Sequence, residues 1–247
     1  MKIFISLIII LLNIFNTTAQ EVDSLQMDVG EKHSLASYIV PAALVTYGVS
    51  ARFVKPVRTI DQKINNLMTN EISFKTRLDE YTEYVPAVAV YGLDLLGVKA
   101  KHNFRDRTFI MVTSHLIMEG VVQSIKHMVD VQRPNNKDNH AFPSGHTSLA
   151  FTGAQILFHE YRDASVWIPV AGYTVAAGTG ILRLSNNQHW FSDIMAGAGI
   201  GILSVEASYL LLPVFHKMLG ISEKDRNFVI LPSVSTNYYG VGLAYSF

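Results

Sequence analysis

Six apolar segments, at 36–50, 84–99, 108–129, 146–161, 166–182 and 191–215, have to be buried against one another or in lipid, and they decide the fold class. Each is too long for an ordinary strand and carries apolar residues around the helical repeat, so each predicts a helix. The polar stretch between the first two, 57–83, predicts a shorter surface helix and a loop. The expected fold is all-α, a six-helix bundle. Only 16% of the residues are charged, against roughly a quarter in soluble domains. A membrane span needs roughly 20 apolar residues, and 191–215 reaches that length comfortably. Asp94, Glu119 and Glu206 interrupt the runs, and acids at membrane depth belong on the interior of a bundle. The small residues Ala196-Gly197-Ala198-Gly199, with Gly201 beyond them, let a neighbouring helix approach closely. A transmembrane bundle is therefore favoured over a soluble or peripheral exported one.

The ends read differently. The opening MKIFISLIIILLNIFNTTAQ has one lysine, an apolar stretch from Ile3 to Phe15, and the small residues Thr17-Thr18-Ala19. It predicts a signal peptide over 1–19, with an uncleaved anchor as the alternative. The helical domain then occupies 20–220, and 221–247 forms a tail. In that tail NFVILPSVS and YYGVGLAYSF read as two strands, with Tyr239, Val241, Leu243, Tyr245 and Phe247 alternating on one face. A short C-terminal β-hairpin is expected there, because two strands cannot close a barrel.

Twenty basic and twenty acidic residues cancel, and no lysine- or arginine-rich block appears, so no nucleic-acid partner is expected. The chain has no cysteine, which excludes a disulfide framework, a thiolate nucleophile and a thiolate metal site. Anion recognition, if present, must be local.

Three stretches concentrate cationic and imidazole side chains. In KHMVDVQRP, Lys126 precedes Arg133 and Pro134, and the proline should end the helix near Arg133. Taken alone, the two cations could simply flank a helix end. In PSGH, Ser144 is a candidate N-cap and Gly145 allows close backbone approach at a helix N-terminus, where free N–H groups favour an anion. His146 lies in the first turn beside it; simple capping is the competing reading. In RLSNNQHWFSD, His189 and Asp193 are four residues apart, so on a helix the carboxylate can fix the imidazole tautomer. A surface His–Asp pair would look the same. Together, however, Lys126, Arg133, Arg183, two histidines, an aspartate and an anion-ready helix terminus amount to a phosphate pocket with an acid and a nucleophile.

The series Lys126-x6-Arg133-Pro134, Pro143-Ser144-Gly145-His146 and Arg183-x5-His189-x3-Asp193 resembles the three-part signature of the type 2 phosphatidic acid phosphatase superfamily, shared with vanadium haloperoxidases. The resemblance points to its bacterial lipid-phosphate phosphatase branch, and the helical pattern extends it to roughly 36–215. It departs at Leu182, where the family commonly has serine; the serine's role is not carried over. The resemblance implies that His189 attacks phosphorus, Asp193 orients it, and His146 protonates the leaving oxygen and later activates water. Lys126, Arg133, Ser144, Gly145 and Arg183 would bind the phosphate, with no metal and no cofactor. His115, His127, His140 and His159 fall outside the signature.

The expected activity is a phosphatase acting on a lipid phosphomonoester or pyrophosphate. Candidate substrates are phosphatidic acid, phosphatidylglycerol phosphate, polyprenyl pyrophosphate and the phosphates of lipid A. The expected partners are that lipid phosphate and the membrane, and the expected location is the inner membrane with the site facing the periplasm. The alternatives are a soluble exported acid phosphatase, a vanadate-dependent haloperoxidase and a headgroup-binding assembly protein without turnover.

Overall fold

The computed structural model describes residues 36–72, 75–219, 228–235 and 238–245, the two tail segments by their backbone pairing. The expected signal peptide lies outside the described residues. Among those described there are eight helices: α1 (Ala36–Ser50), α2 (Lys55–Asn66), α3 (Asp79–Thr82), α4 (Val85–Leu95), α5 (Phe104–Met128), α6 (Gly145–Tyr161), α7 (Trp167–Ser185) and α8 (Phe191–Met218). The expectation of six is corrected. Each apolar segment contributes one helix, and the polar 57–83 stretch contributes both α2, which runs on into a π-helical turn over Leu67–Ile72, and the short α3. In the tail, β1 (Phe228–Ser235) pairs antiparallel with β2 (Tyr238–Tyr245), with Phe228 opposite Tyr245.

Local chemistry sets most boundaries. Asn103 Oδ1 accepts the Asp106 N–H at 2.9 Å and starts α5. The same helix stops at Met128, five residues before Arg133, because Val129 turns extended and the following loop folds back on itself. There Val131 N–H donates to Asn139 O, and Ala141 N–H donates to Val131 O. Pro56 opens α2, a position where its missing N–H costs nothing.

Helices α6 and α8 form the centre: α8 packs on α1, α5 and α6, and α6 also meets α4 and α7. Small residues permit this closeness. A Cβ at Gly197 would lie 2.6 Å from Ser144 O on α6, and one at Gly199 would lie 2.5 Å from Pro41 O on α1. At the other end of α1, a Cβ at Gly48 would meet Ser192 O at 2.6 Å, so α1 and α8 run antiparallel. Away from the functional end, Val90, Ile110, Ile156, Leu157, Tyr161, Val205, Tyr209 and Leu212 pack into the largest apolar cluster.

Glu206 is buried on the interior and accepts from Gln155 Nε2 at 2.5 Å, with His159 Nε2 at 2.7 Å. Asp94 pairs with the buried guanidinium of Arg107. Glu119 and Asp94 depart from the expected interior placement: both are exposed, Glu119 on α5 beside Gln123 and Asp94 on α4. Among the described residues α5 and α8 are long and apolar enough to cross a membrane, and a third span is reached if α1 and α2, bent by 91°, count as one.

Candidate active site

The C-terminal ends of α5 and α7 and the N-terminal ends of α6 and α8 meet at one end of the bundle. That junction gathers every residue of the three motifs. The Ser144 N–H donates to Asp193 O at 3.0 Å, which joins the second motif directly to the third.

His189 occupies the centre and is 1% exposed. It precedes α8 and does not lie within it, so the expected pairing on one helical face is not what orients the ring. Its Nδ1 lies 2.7 Å from Ala141 O, whereas Asp193 Oδ2 stands 3.7 Å away. A carbonyl oxygen only accepts, so Nδ1 carries the proton and Nε2 presents a lone pair. That lone pair faces Arg133 Nη1 at 3.2 Å and Arg183 Nη2 at 3.4 Å. Burial, reinforced by Arg183, Arg133 and Lys126, holds the imidazole well below its usual pKa. The ring is therefore neutral and nucleophilic at physiological pH.

Asp193 is fully buried and braces this arrangement from the third residue of α8. Its Oδ2 accepts the Trp190 N–H at 2.7 Å, and Arg52 Nη2 reaches its Oδ1 at 3.4 Å. Arg52 also donates to Ser192 Oγ at 2.5 Å, and that hydroxyl donates to Asp61 Oδ2 at 2.6 Å. Asp61 accepts the Ser192 N–H as well, at 2.9 Å.

The cations are held by partners of their own. Arg133 Nε donates to Asp138 Oδ1 at 2.7 Å, and Nη1 also reaches Gln188 O at 3.1 Å. Arg183 Nη1 donates to Asp79 Oδ2 at 2.5 Å, and Asp79 Oδ1 accepts from Asn186 Nδ2 at 2.9 Å. Lys126 Nζ donates to His140 O at 2.8 Å. These contacts fix the side chains while leaving guanidinium N–H groups turned toward Nε2 of His189.

Ser144 stands at the N-cap position of α6. Its buried hydroxyl pairs with Thr147 Oγ1 at 2.9 Å and not with a backbone N–H, a correction to simple capping. Gly145 begins the helix, and a Cβ there would meet only Val122 Cγ1, at 3.9 Å. The first-turn N–H groups of a helix have no intrahelical acceptor and favour an anion. His146 Nε2 lies 3.6 Å from Glu83 Oε1. Burial lowers the His146 pKa to about 4, with Arg183 adding to it. Burial also pushes the Glu83 carboxyl up to about 7.

Asp61, Asp79, Glu83, Arg52 and Ser192 join the site without any signal in the motifs. Asp79 and Arg183 are 104 residues apart, and Arg52 and Asp193 are 141 apart. For Asp61, Asp79 and Glu83 the only mark in the sequence is the cluster of acids in the polar 57–83 stretch; Arg52 has none, and Ser192 sits unmarked inside the third motif.

A family model described as the PAP2 superfamily matches residues 107–217, which contain all three motifs. Over those residues the chain is similar to the PAP2 superfamily. A lipid A 1-phosphatase of Porphyromonas gingivalis is 35% identical over 180 residues, covering 72% of this chain and 38% of that protein. The chain thus spans well under half the length of this relative. Two solved structures are more distant in sequence. LpxE of Aquifex aeolicus shares 20% identity with a TM-score of 0.47, covering 60% of this chain and 93% of that one. A transmembrane PAP2-type phosphatidylglycerolphosphate phosphatase of Bacillus subtilis shares 16% with a TM-score of 0.45, covering 73% and 97%.

Proposed function

We propose that the chain is a metal-independent membrane phosphatase that removes a phosphate from a lipid through a phosphohistidine on His189. One observation carries this reading: the His189 Nε2 lone pair faces two guanidinium groups, at 3.2 and 3.4 Å. A phosphoryl group placed between them would have its oxygens neutralised and its phosphorus in front of a nitrogen nucleophile.

In the first step the His189 Nε2–phosphorus bond forms as the phosphorus–oxygen bond to the lipid breaks, and the departing oxygen takes a proton from His146, which regains one from the Glu83 carboxyl beside it. In the second, His146 takes a proton from water, whose oxygen attacks phosphorus and displaces Nε2. Lys126, Arg133, Arg183 and the α6 N-terminus at Ser144 and Gly145 hold the equatorial oxygens. Asp193 holds the α8 entrance that presents His189.

The substrate class is a lipid phosphomonoester or pyrophosphate, and the similarity to a lipid A 1-phosphatase supports a glycolipid phosphate within it. With α5 and α8 as spans, the junction of helix ends lies at a membrane surface, where a lipid headgroup is found. The leader read over 1–19 supports an inner-membrane protein with this surface toward the periplasm. The domain division is leader, helical phosphatase domain over 20–220, and a terminal hairpin formed by the two tail strands.

Purified full-length protein in detergent should release phosphate from lipid phosphates in the presence of a chelator, while His189→Ala releases none. Near-normal turnover by His189→Ala, or loss of wild-type turnover on chelation, would refute the scheme.

A further inference from the structure

Helix α2 presents two different flanks. Val57, Asp61, Ile64 and Met68, spaced i, i+4, i+7 and i+11, are buried or half-buried and form its inner flank. Met68 Sδ meets Ser185 Oγ of α7 at 3.9 Å. Asp61 is 2% exposed and accepts the Ser192 N–H at 2.9 Å and the Ser192 hydroxyl at 2.6 Å. The inner flank of α2 therefore holds the entrance of α8, where His189 and Asp193 stand.

The second flank faces outward. Ile60, Lys63 and Leu67, spaced i, i+3 and i+7, share it, with Ile60 43% and Leu67 44% exposed. Phe53 and Val54, which lead into the helix, are 62% and 43% exposed. Asp61 is the one acid between Arg52 and Asn66, and it is turned inward, whereas Lys55, Arg58 and Lys63 are all exposed. Arg58 shares a cleft with the exposed Asp130, which offsets its charge. The ammonium groups of Lys55 and Lys63 make no hydrogen bond or ion pair among the described residues. The next exposed acid on the helix, Glu71, comes two turns beyond Lys63. The outer side of α2 is thus apolar and net positive.

The fold lays this side along a membrane. Helix α1 runs antiparallel along α8, so its end near Gly48 lies beside Ser192. Helix α2, continued through its π-helical turn to Glu71, then leaves at 91° to α1. With α8 crossing the bilayer, α2 runs parallel to the membrane plane at the level of the catalytic junction. A helix in that plane with apolar and lysine side chains on one exposed flank suits a lipid surface better than a protein partner. Its apolar groups enter the boundary of the acyl chains, and its ammonium groups reach anionic headgroups.

We propose that the outer flank of α2 docks on an anionic phospholipid surface, and that this contact holds Asp61 against Ser192, so that turnover responds to the charge of the membrane. The link to turnover rests on the phosphatase reading above. The chain has no cysteine, so Ile60→Cys and Gln62→Cys each give the full-length protein one site for an environment-sensitive fluorophore. Gln62 lies in the wall of the cleft with Arg58 and serves as the control. The labelled proteins are reconstituted in vesicles of phosphatidylcholine, alone or with phosphatidylglycerol, with a quencher carried on the lipid. The label at 60 should be quenched, more strongly with phosphatidylglycerol and less as salt rises, and the label at 62 should not. On soluble phenyl phosphate, kcat of the unlabelled protein should rise with phosphatidylglycerol. Lys55→Gln and Lys63→Gln should each weaken docking about fivefold in the phosphatidylglycerol titration, the effect of one lysine at an anionic surface, and leave kcat in neutral detergent unchanged.

A label at 60 that the lipid quencher does not reach would overturn the docking surface. Shielding of that label in neutral detergent as well would assign the flank to protein, either a second copy or another segment of the chain. Quenching that ignores phosphatidylglycerol and salt would overturn the anionic contact. A kcat that stays flat while the quenching changes would overturn the link through Asp61 alone. A wild type inactive on phenyl phosphate and on lipid phosphates, with the quenching pattern intact, removes the phosphatase reading and leaves the docking surface standing.

Discussion

Replacing Arg183 by lysine isolates what the guanidinium contributes beyond its charge. Arg183 bridges two partners, with Nη1 on Asp79 at 2.5 Å and Nη2 3.4 Å from His189 Nε2. A lysine has one nitrogen on a flexible stem and can serve only one of those positions. Its charge persists, so the electrostatic lowering of the His189 pKa is largely kept. What is lost is a fixed donor aimed at the phosphoryl oxygens, a charge-assisted bond worth about 1.5–3 kcal/mol. Because each 1.36 kcal/mol is tenfold in rate, kcat should fall roughly 10- to 150-fold. The donor matters most when negative charge builds in the transition state, so KM should change little. Steady-state phosphate release from a lipid phosphate gives both constants, and a thermal melt in detergent shows whether the fold persists. A variant with kcat within twofold of wild type and an unchanged melting temperature would refute the assignment of Arg183 to the phosphoryl group.

Asp61→Asn should lower kcat by about tenfold, because the amide cannot accept from both Ser192 groups and from Arg52 as the carboxylate does; Asp193 then loses its brace, and unchanged turnover would sever that link. The Glu83 carboxyl, at about 7, keeps its proton below that pH, while His146, at about 4, is neutral above 4. The proton nearest the leaving group therefore resides on Glu83 between those values and is lost as pH rises through about 7. The rate on an alkyl phosphate should fall on that limb, and Glu83→Gln should abolish the limb while slowing an alkyl leaving group more than nitrophenolate; a limb unmoved by the substitution contradicts this. Gly197→Ala places a methyl 2.6 Å from Ser144 O and should destabilise the α6–α8 contact by about 1–3 kcal/mol. Gly178→Ala, with nothing near its Cβ, should be neutral, and equal melting temperatures for the two would contradict the packing argument.

The sequence made legible those parts of the site whose chemistry is local. Ser144, Gly145 and His146 mark a helix start, and His189 and Asp193 mark another, because caps and first turns are specified by residues a few positions apart. Arg133 is likewise announced by its proline. The supports were illegible for the opposite reason: Asp79, Glu83, Asp61 and Arg52 reach the site only through tertiary contacts, and isolated acids in a polar stretch look solvated. Even within a motif, spacing misassigned a bond. The four-residue spacing of His189 and Asp193 suggested one helical face, but Trp190 is the N-cap, so the carboxylate accepts the Trp190 N–H and the histidine turns to Ala141 O. Helix count failed similarly. The polar 57–83 stretch lacks the apolar run that reveals a buried helix, yet it contributes two, one of which carries Asp61.

The small-residue stripe of α8 links fold to chemistry. Side-chain packing alone would hold α6 and α8 at an ordinary helix separation of about 8–10 Å. Gly197 removes the Cβ that would stand between them, so the Ser144 carbonyl can lie against α8 and the Ser144 N–H can donate to Asp193 O at 3.0 Å. That bond sets the register of the α6 N-terminus against the entrance of α8. His189, held just before that entrance, is thereby set against the α6 N–H groups on which the phosphate would rest. On α8's other side, Gly199 admits α1, whose far end carries Arg52 to Ser192 and Asp193. The pattern that first suggested close packing in a membrane is thus also what brings nucleophile, anion site and brace into one register. Displacement of reacting groups by about 1 Å can cost on the order of a hundredfold in rate, so selection on the glycines would act through catalysis as well as stability.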